Sequence, residues 1–268
     1  MARRYYLTIN IMYLITIPVW LLIAASFTGF DTGLTWSLSG NAISNSLFLF
    51  ASSAILLIIG FALLRKFMGN KKDSALLLST YNLLYGSSSF LEGLGNYMDF
   101  HPALNQSVEN LTFILVSWAV IFFFLFLQDV FTSSFSNEKH LRSHVFFGIM
   151  IVLGDVLLIL DGLGFGMNIF SYSGYAIFAI ALIILCVWQM VAAFKLVKKS
   201  SEQKVRVGLV MIGLSGLLYI FVVVAIALKA IVSGIDYIDV IIPILVFTAS
   251  IVTYMGYVYP SRHPKTKT

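Results

Sequence analysis

Apolar residues in this chain do not alternate, and they do not fall into the three-and-four spacing of a half-buried surface helix. They come in predominantly apolar runs of about 20 residues separated by short polar stretches. Eight such runs are read, at roughly 5–26, 45–64, 74–96, 110–130, 145–166, 172–194, 207–228 and 238–258. At about 1.5 Å per residue, each is long enough to cross a hydrocarbon core of about 30 Å. A membrane β-barrel is excluded, because its strands would alternate in period two. The expected fold is all-α: a polytopic integral membrane helix bundle of eight transmembrane helices, forming a single transmembrane domain over 1–268 with no soluble domain.

The basic residues orient these spans. Arg3 and Arg4 precede the first; Arg65, Lys66, Lys71 and Lys72 follow the second; Lys139 and Arg142 follow the fourth. Lys195, Lys198, Lys199, Lys204 and Arg206 follow the sixth, and Arg262, Lys265 and Lys267 lie beyond the eighth. Of the 17 Lys and Arg residues, only Lys229 falls on the opposite side. The positive-inside rule makes the crowded side cytoplasmic, with both termini there, and the cell membrane is the expected location. Ala24-Ala25-Ser26 after a short basic start resembles a signal-peptide end. The apolar stretch before it is longer than the usual 7–15 residues of a signal core, so it is read as a retained span.

Composition agrees with this picture. Hydrophobic types make up 59 % of the 268 residues and charged types 11 %, against about 25 % charged in an ordinary soluble domain. There are too few charges to cover a water-facing surface. The net charge of +5 belongs to the cytoplasmic rim, whose expected partner is anionic lipid headgroups, not nucleic acid. Cys186 is the only cysteine, so no intramolecular disulfide and no Cys-based metal site is expected. The outer loops 27–44 and 97–109 are the longest and lack Lys and Arg; Asn105 and Asn110 match the glycosylation acceptor pattern there.

The polar positions inside the runs carry the candidate chemistry. Asp155 lies about 15 Å along the fifth span, near the midplane, and no basic residue shares its depth. An ionised side chain there is costly, so it needs a proton, a hydrogen-bonded polar neighbour, or a cation that comes and goes. Asn82, Tyr85, Ser89, Glu92 and Asn96 follow one another at steps of three, four, three and four, drawing a polar stripe down one face of the third span. That stripe faces protein or a water-filled cavity and offers companions to Asp155. Leu91-Glu92-Gly93-Leu94-Gly95 recurs as Leu160-Asp161-Gly162-Leu163-Gly164, which places Glu92 and Asp161 at matched depths near the outer ends of two outward-running spans. A parallel repeat of helix hairpins is one reading, chance in a Leu/Gly-rich chain the other.

Other chemistry is argued against. His101, His140, His144 and His263 lie in loops or at span ends, so neither a bis-His haem nor a membrane zinc site is expected. No HExxH, GxSxG or Walker pattern occurs, and no serine has a deep Lys or His as base. Lys229 sits at a span end with Asp236 and Asp239 following, where a snorkelling side chain is expected. Pro18 and Pro243 remove helix hydrogen bonds within their spans. Gly162, Gly166, Gly213 and Gly216 permit close helix contact.

No enzyme activity, cofactor or metal is expected. The function expected is proton- or cation-linked transport of a small solute, with Asp155, Asp161, Glu92, Asn82, Tyr85 and Ser89 as the binding residues. Two alternatives stay open: a non-catalytic integral subunit of a larger membrane complex, which would add other membrane subunits as partners, and a receptor-like sensor without its own effector domain.

Overall fold

The computed structural model describes residues 40–70, 72–97, 102–132, 138–162, 169–231 and 238–262. The first expected span, 5–26, lies outside the described residues. Among those described the chain is helical apart from the linking residues 72 and 200–202, without a strand. The helices are α1 (Gly40–Asn70), α2 (Asp73–Tyr97), α3 (Pro102–Thr132), α4 (Glu138–Gly162), α5 (Ile169–Lys199), α6 (Gln203–Ile231) and α7 (Ile238–Val258), followed by a 3-10 turn at Tyr259–Arg262.

Five helices, α1, α3, α5, α6 and α7, carry apolar stretches long enough to cross a membrane, and they mark the chain as a membrane protein. In α4 the comparable stretch is shorter, Phe146–Leu158. In α2 the apolar run is interrupted by Ser79, Thr80, Asn82, Ser88, Ser89 and Glu92.

The helices outrun their apolar cores. α1, α3 and α5 have 31 residues each. At 1.5 Å per residue that is about 46 Å, more than the hydrocarbon thickness, so their ends reach the polar zone. α3 begins at Pro102 rather than near 110, so much of the stretch expected as an outer loop, with Asn105 in it, is helical. Proline suits a first helical position, where its missing N–H would have had no partner and its fixed φ is already helical.

Consecutive helices pack on one another from α1 to α7, and α7 returns to α1, closing the bundle. α3 occupies the middle. In its Leu111–Phe131 stretch 78 % of residues are buried, against 33 to 50 % in the other four apolar stretches. Every residue from Ala119 to Gln128 is buried, which is a helix covered on all sides. Its aromatic rings reach five neighbours. Phe123 packs on Tyr81 of α2 at 4.8 Å and Tyr219 of α6 at 5.5 Å between centroids. Phe124 meets Phe147 of α4 at 4.7 Å and Trp188 of α5 at 5.7 Å. Phe126 meets Tyr257 of α7 edge-on at 5.5 Å. Tilted and T-shaped pairs at these separations align positive ring edges with negative faces and add to the burial of large apolar area.

Two seams hold the outer helices. Along α1–α2, Ser53 Oγ donates to the Gly86 carbonyl at 2.7 Å, and about two turns away Ser79 Oγ donates back to the Gly60 carbonyl, also at 2.7 Å. Glycine on the receiving helix lets each serine reach a backbone oxygen. Along α6–α7 the backbones themselves meet. A methyl on Gly208 would stand 2.5 Å from the Gly256 carbonyl oxygen, and one on Gly256 would stand 2.7 Å from the Gly208 carbonyl oxygen. Small residues at a crossing allow the close approach that drives helix association in lipid. Gly213 and Gly216 play the same part against Ala193 and Cys186 of α5, an internal packing role.

Candidate functional site

Asp155 lies in the second half of α4 and is 6 % exposed. The hydroxyl of Ser117 on α3 donates to its Oδ1 at 2.6 Å. Ser117 also lies within 3.0 Å of the Ile114 carbonyl one turn back, so its position is fixed by its own helix. Beside Asp155, Gly154 faces Gly174 of α5: a methyl on Gly174 would lie 2.9 Å from the Gly154 carbonyl oxygen. The carboxyl group therefore sits at a close backbone crossing, with one hydroxyl aimed at it and no basic side chain bonded to it among the described residues.

The expected companions are elsewhere. α3 packs against both α2 and α4, while α2 and α4 share no comparable interface. The stripe on α2 and Asp155 are thus separated by the central helix, and Ser117 supplies what the stripe was expected to supply. Asn82 is fully buried and donates through Nδ2 to the Leu78 carbonyl at 2.7 Å. Its Oδ1 has no hydrogen-bond partner among the described residues. Ser89 is buried and Tyr85 partly so, with the Tyr85 ring 6.0 Å from that of Tyr81. Glu92 is exposed near the end of α2. Gly93 beside it packs against Phe50 of α1. Asp161 belongs to the last turn of α4, but its side chain, like that of Asn96, lies outside the described residues. Much of the second pentad lies outside them as well.

A second polar group, not singled out from the sequence, joins three helices. The hydroxyls of Tyr81 on α2 and Tyr219 on α6 are hydrogen-bonded to each other. Ser250 Oγ on α7 lies 3.3 Å from the first and 3.2 Å from the second. All three residues are buried. Tyr81 shares the α2 face of Tyr85 and Asn82 within about 100° of arc, so the stripe is wider than its three-and-four spacing implied. Tyr219 stands in an apolar run and Ser250 between Thr248 and Thr253, and no spacing rule singles either out. This group and Asp155 flank α3 separately: Phe123, beside the tyrosines, is about 9 Å further along the helix than Ser117.

At the end carrying Lys66, Lys72 and Lys199, a third group ties four helices. Asp129 of α3 accepts hydrogen bonds from the backbone N–H and the hydroxyl of Ser74, at the start of α2. Ser74 Oγ lies 3.0 Å from the Tyr257 hydroxyl of α7. Ser74 has one hydroxyl hydrogen, so with that committed to Asp129 the Tyr257 O–H donates to Ser74. The Lys66 ammonium of α1 stands 5.0 Å over the Tyr257 ring. Between α5 and α6, Gln189 Nε2 donates to the Ile212 carbonyl at 2.6 Å and to Ser215 Oγ at 2.9 Å.

Among the described residues no cluster of His, Cys, Asp and Glu has the make-up of a metal site. Comparison of the chain with protein-family models, with curated proteins and with solved structures finds no match.

Proposed function

We propose that this chain is an eight-span carrier of the cell membrane with both termini cytoplasmic, moving a small solute with a proton or small cation that Asp155 binds. The observation that carries this reading is the setting of Asp155: buried, reached by one neutral hydroxyl, with no basic side chain bonded to it among the described residues. A carboxylate in such a place is not offset by a built-in counter-charge, so its charge is met by an exchangeable proton or cation. Asp161, Glu92, Asn82, Tyr85 and Ser89 remain proposed binding residues. Asn82 offers a buried Oδ1 that is unpartnered among the described residues, on a helix that α3 separates from that of Asp155.

The test is flux in reconstituted vesicles. Proton entry is read by a trapped pH dye, and radioactive sodium uptake is read in parallel, both under an imposed potassium diffusion potential. Wild-type vesicles are expected to exceed protein-free vesicles in one of the two readouts, and Asp155→Asn to abolish the excess. Flux no faster than in protein-free vesicles, or full flux in a folded Asp155→Leu variant, overturns the proposal. Stoichiometric foreign subunits accompanying the chain through mild extraction, together with no flux, replace it with a subunit role.

A further inference from the structure

The basic end of the bundle holds a cleft of about 370 Å³, at the small end of the ~300–1,000 Å³ typical of ligand sites. It is bounded by the end of α5, the start of α6 and the end of α7, with Val130 of α3 behind. Its wall is graded. Lys199 is exposed, Ser200 and Val205 are intermediate, and Leu209 is buried. Pro260 and the Tyr257 ring complete the apolar part, and the Tyr257 hydroxyl is already engaged with Ser74. The Gly208–Gly256 crossing forms one side, and Ile212, one turn further along α6, also lines the cleft.

Charge says what the cleft takes. Between residues 195 and 206 stand Lys195, Lys198, Lys199, Lys204 and Arg206, against the single acid Glu202. Glu202 lies at the start of α6, where its carbonyl accepts from the Arg206 N–H at 3.0 Å. An anion is therefore favoured at the rim, while the wall behind it is apolar. A small soluble phosphate would satisfy the rim and leave that wall against water. A molecule with an anionic head and a hydrocarbon body covers both.

We infer that this cleft is a specific site for an anionic phospholipid. The phosphodiester lies at Lys199 and Ser200, and the glycerol and first chain carbons lie against Val205, Leu209, Tyr257 and Pro260. This goes beyond a diffuse attraction of the basic rim for the membrane surface, and it does not rest on the Asp155 carrier reading.

The experiment is native mass spectrometry of the purified full chain in detergent, titrated with phosphatidylglycerol or phosphatidylcholine of the same acyl chains, with glycerol phosphate as the soluble competitor. Preferential retention of phosphatidylglycerol is expected. Lys199→Gln should lower it about fivefold, equivalent to the ~1 kcal/mol that a basic residue near an anionic surface contributes. Lys198→Gln makes the same charge change outside the cleft lining and should have a clearly smaller effect. Val205→Trp fills the cleft without changing charge and should also lower retention. Equal loss in the Lys198 and Lys199 variants, no preference over phosphatidylcholine, or an unaffected Val205→Trp overturns the site. Displacement by glycerol phosphate at similar concentration assigns the cleft to a soluble phosphate and overturns the lipid.

Discussion

The α6–α7 crossing lends itself to a quantitative test, because the same chemical change can be made where space is absent and where it is open. In Gly208→Ala the new methyl stands 2.5 Å from the Gly256 carbonyl oxygen and 2.8 Å from Pro260 Cγ, while ordinary contact begins at 3.4 Å. The backbone oxygen cannot rotate away as a side chain would, so the helices must part by about 0.9 Å, the difference between 3.4 and 2.5 Å. Overpacking of this kind costs about 1–3 kcal/mol, and alanine's better helix propensity offsets roughly 0.5–1 kcal/mol of it. The net expected loss is about 0–2.5 kcal/mol, and because the propensity gain is common to any Gly→Ala change on a helix, the loss relative to an open site is about 1–3 kcal/mol. At about 2–4 °C per kcal/mol, the scale for domains only slightly shorter than this chain of 268 residues, Tm should lie roughly 2–12 °C below that of the same change at an open site. Gly148→Ala on α4 is the control, since nothing lies within 4 Å of its added methyl. It should hold or raise Tm, by up to about 1 kcal/mol of stability. The assay is thermal unfolding in a fixed detergent, followed by tryptophan fluorescence. Gly256→Ala should behave like Gly208→Ala, and the double variant should lose less than the sum, because a crossing already opened has room for the second methyl. Equal stability of the Gly208→Ala and Gly148→Ala proteins would refute the close crossing, and with it one side of the lipid cleft.

Further outcomes follow from the polar groups. Ser117→Ala leaves Asp155 buried without its donor and should cost about 1–3 kcal/mol in the same unfolding assay. Ser117→Thr, which keeps the hydroxyl, should cost clearly less. Tyr219→Phe removes its bonds to Tyr81 and Ser250 and should cost about 0.5–1.5 kcal/mol. Adding Tyr81→Phe to it should cost little more, since the shared bond is already gone; full additivity would show that the hydroxyls act separately.

The sequence made the helices legible but not their arrangement. Runs of apolar residues bounded by charge located the elements from α1 onward, because lipid exposure and burial both demand apolar side chains and the helix ends demand polar ones. The same equivalence hides which helix is central: nothing in Phe122-Phe123-Phe124-Leu125-Phe126 distinguishes a lipid-facing surface from a fully enclosed one. That is why Asp155 was expected against the α2 stripe, when α3 stands between them. Its partner Ser117 is one serine in an apolar run, and only the packing of α4 on α3 picks it out. Tyr219 and Ser250 were equally invisible, since their meaning lies in a contact with Tyr81, far away in the chain. The helical start of α3 lies beyond its apolar run: residues 102–109 are mostly polar, so a reading by apolar runs places them in a loop, although Pro102 suits the first turn of a helix.

The enclosed position of α3 bears on how the molecule is made. Helices of a membrane protein first enter lipid and then associate, and α3 is synthesised before α4 to α7, four of the helices that cover it. Its middle is built from Phe, Leu, Val and Ile, so it can rest in lipid while they arrive, with each later helix replacing hydrocarbon tails by rings and methyls. α2, whose apolar run is interrupted, is in a weaker position alone. It follows α1 immediately, and the Ser53–Gly86 and Ser79–Gly60 bonds let the two enter as one hairpin. The order of elements along the chain thus lets α2 meet α1 at once, while its Tyr81 hydroxyl waits for Tyr219 of α6 and Ser250 of α7, whose arrival completes the polar contacts of the early hairpin.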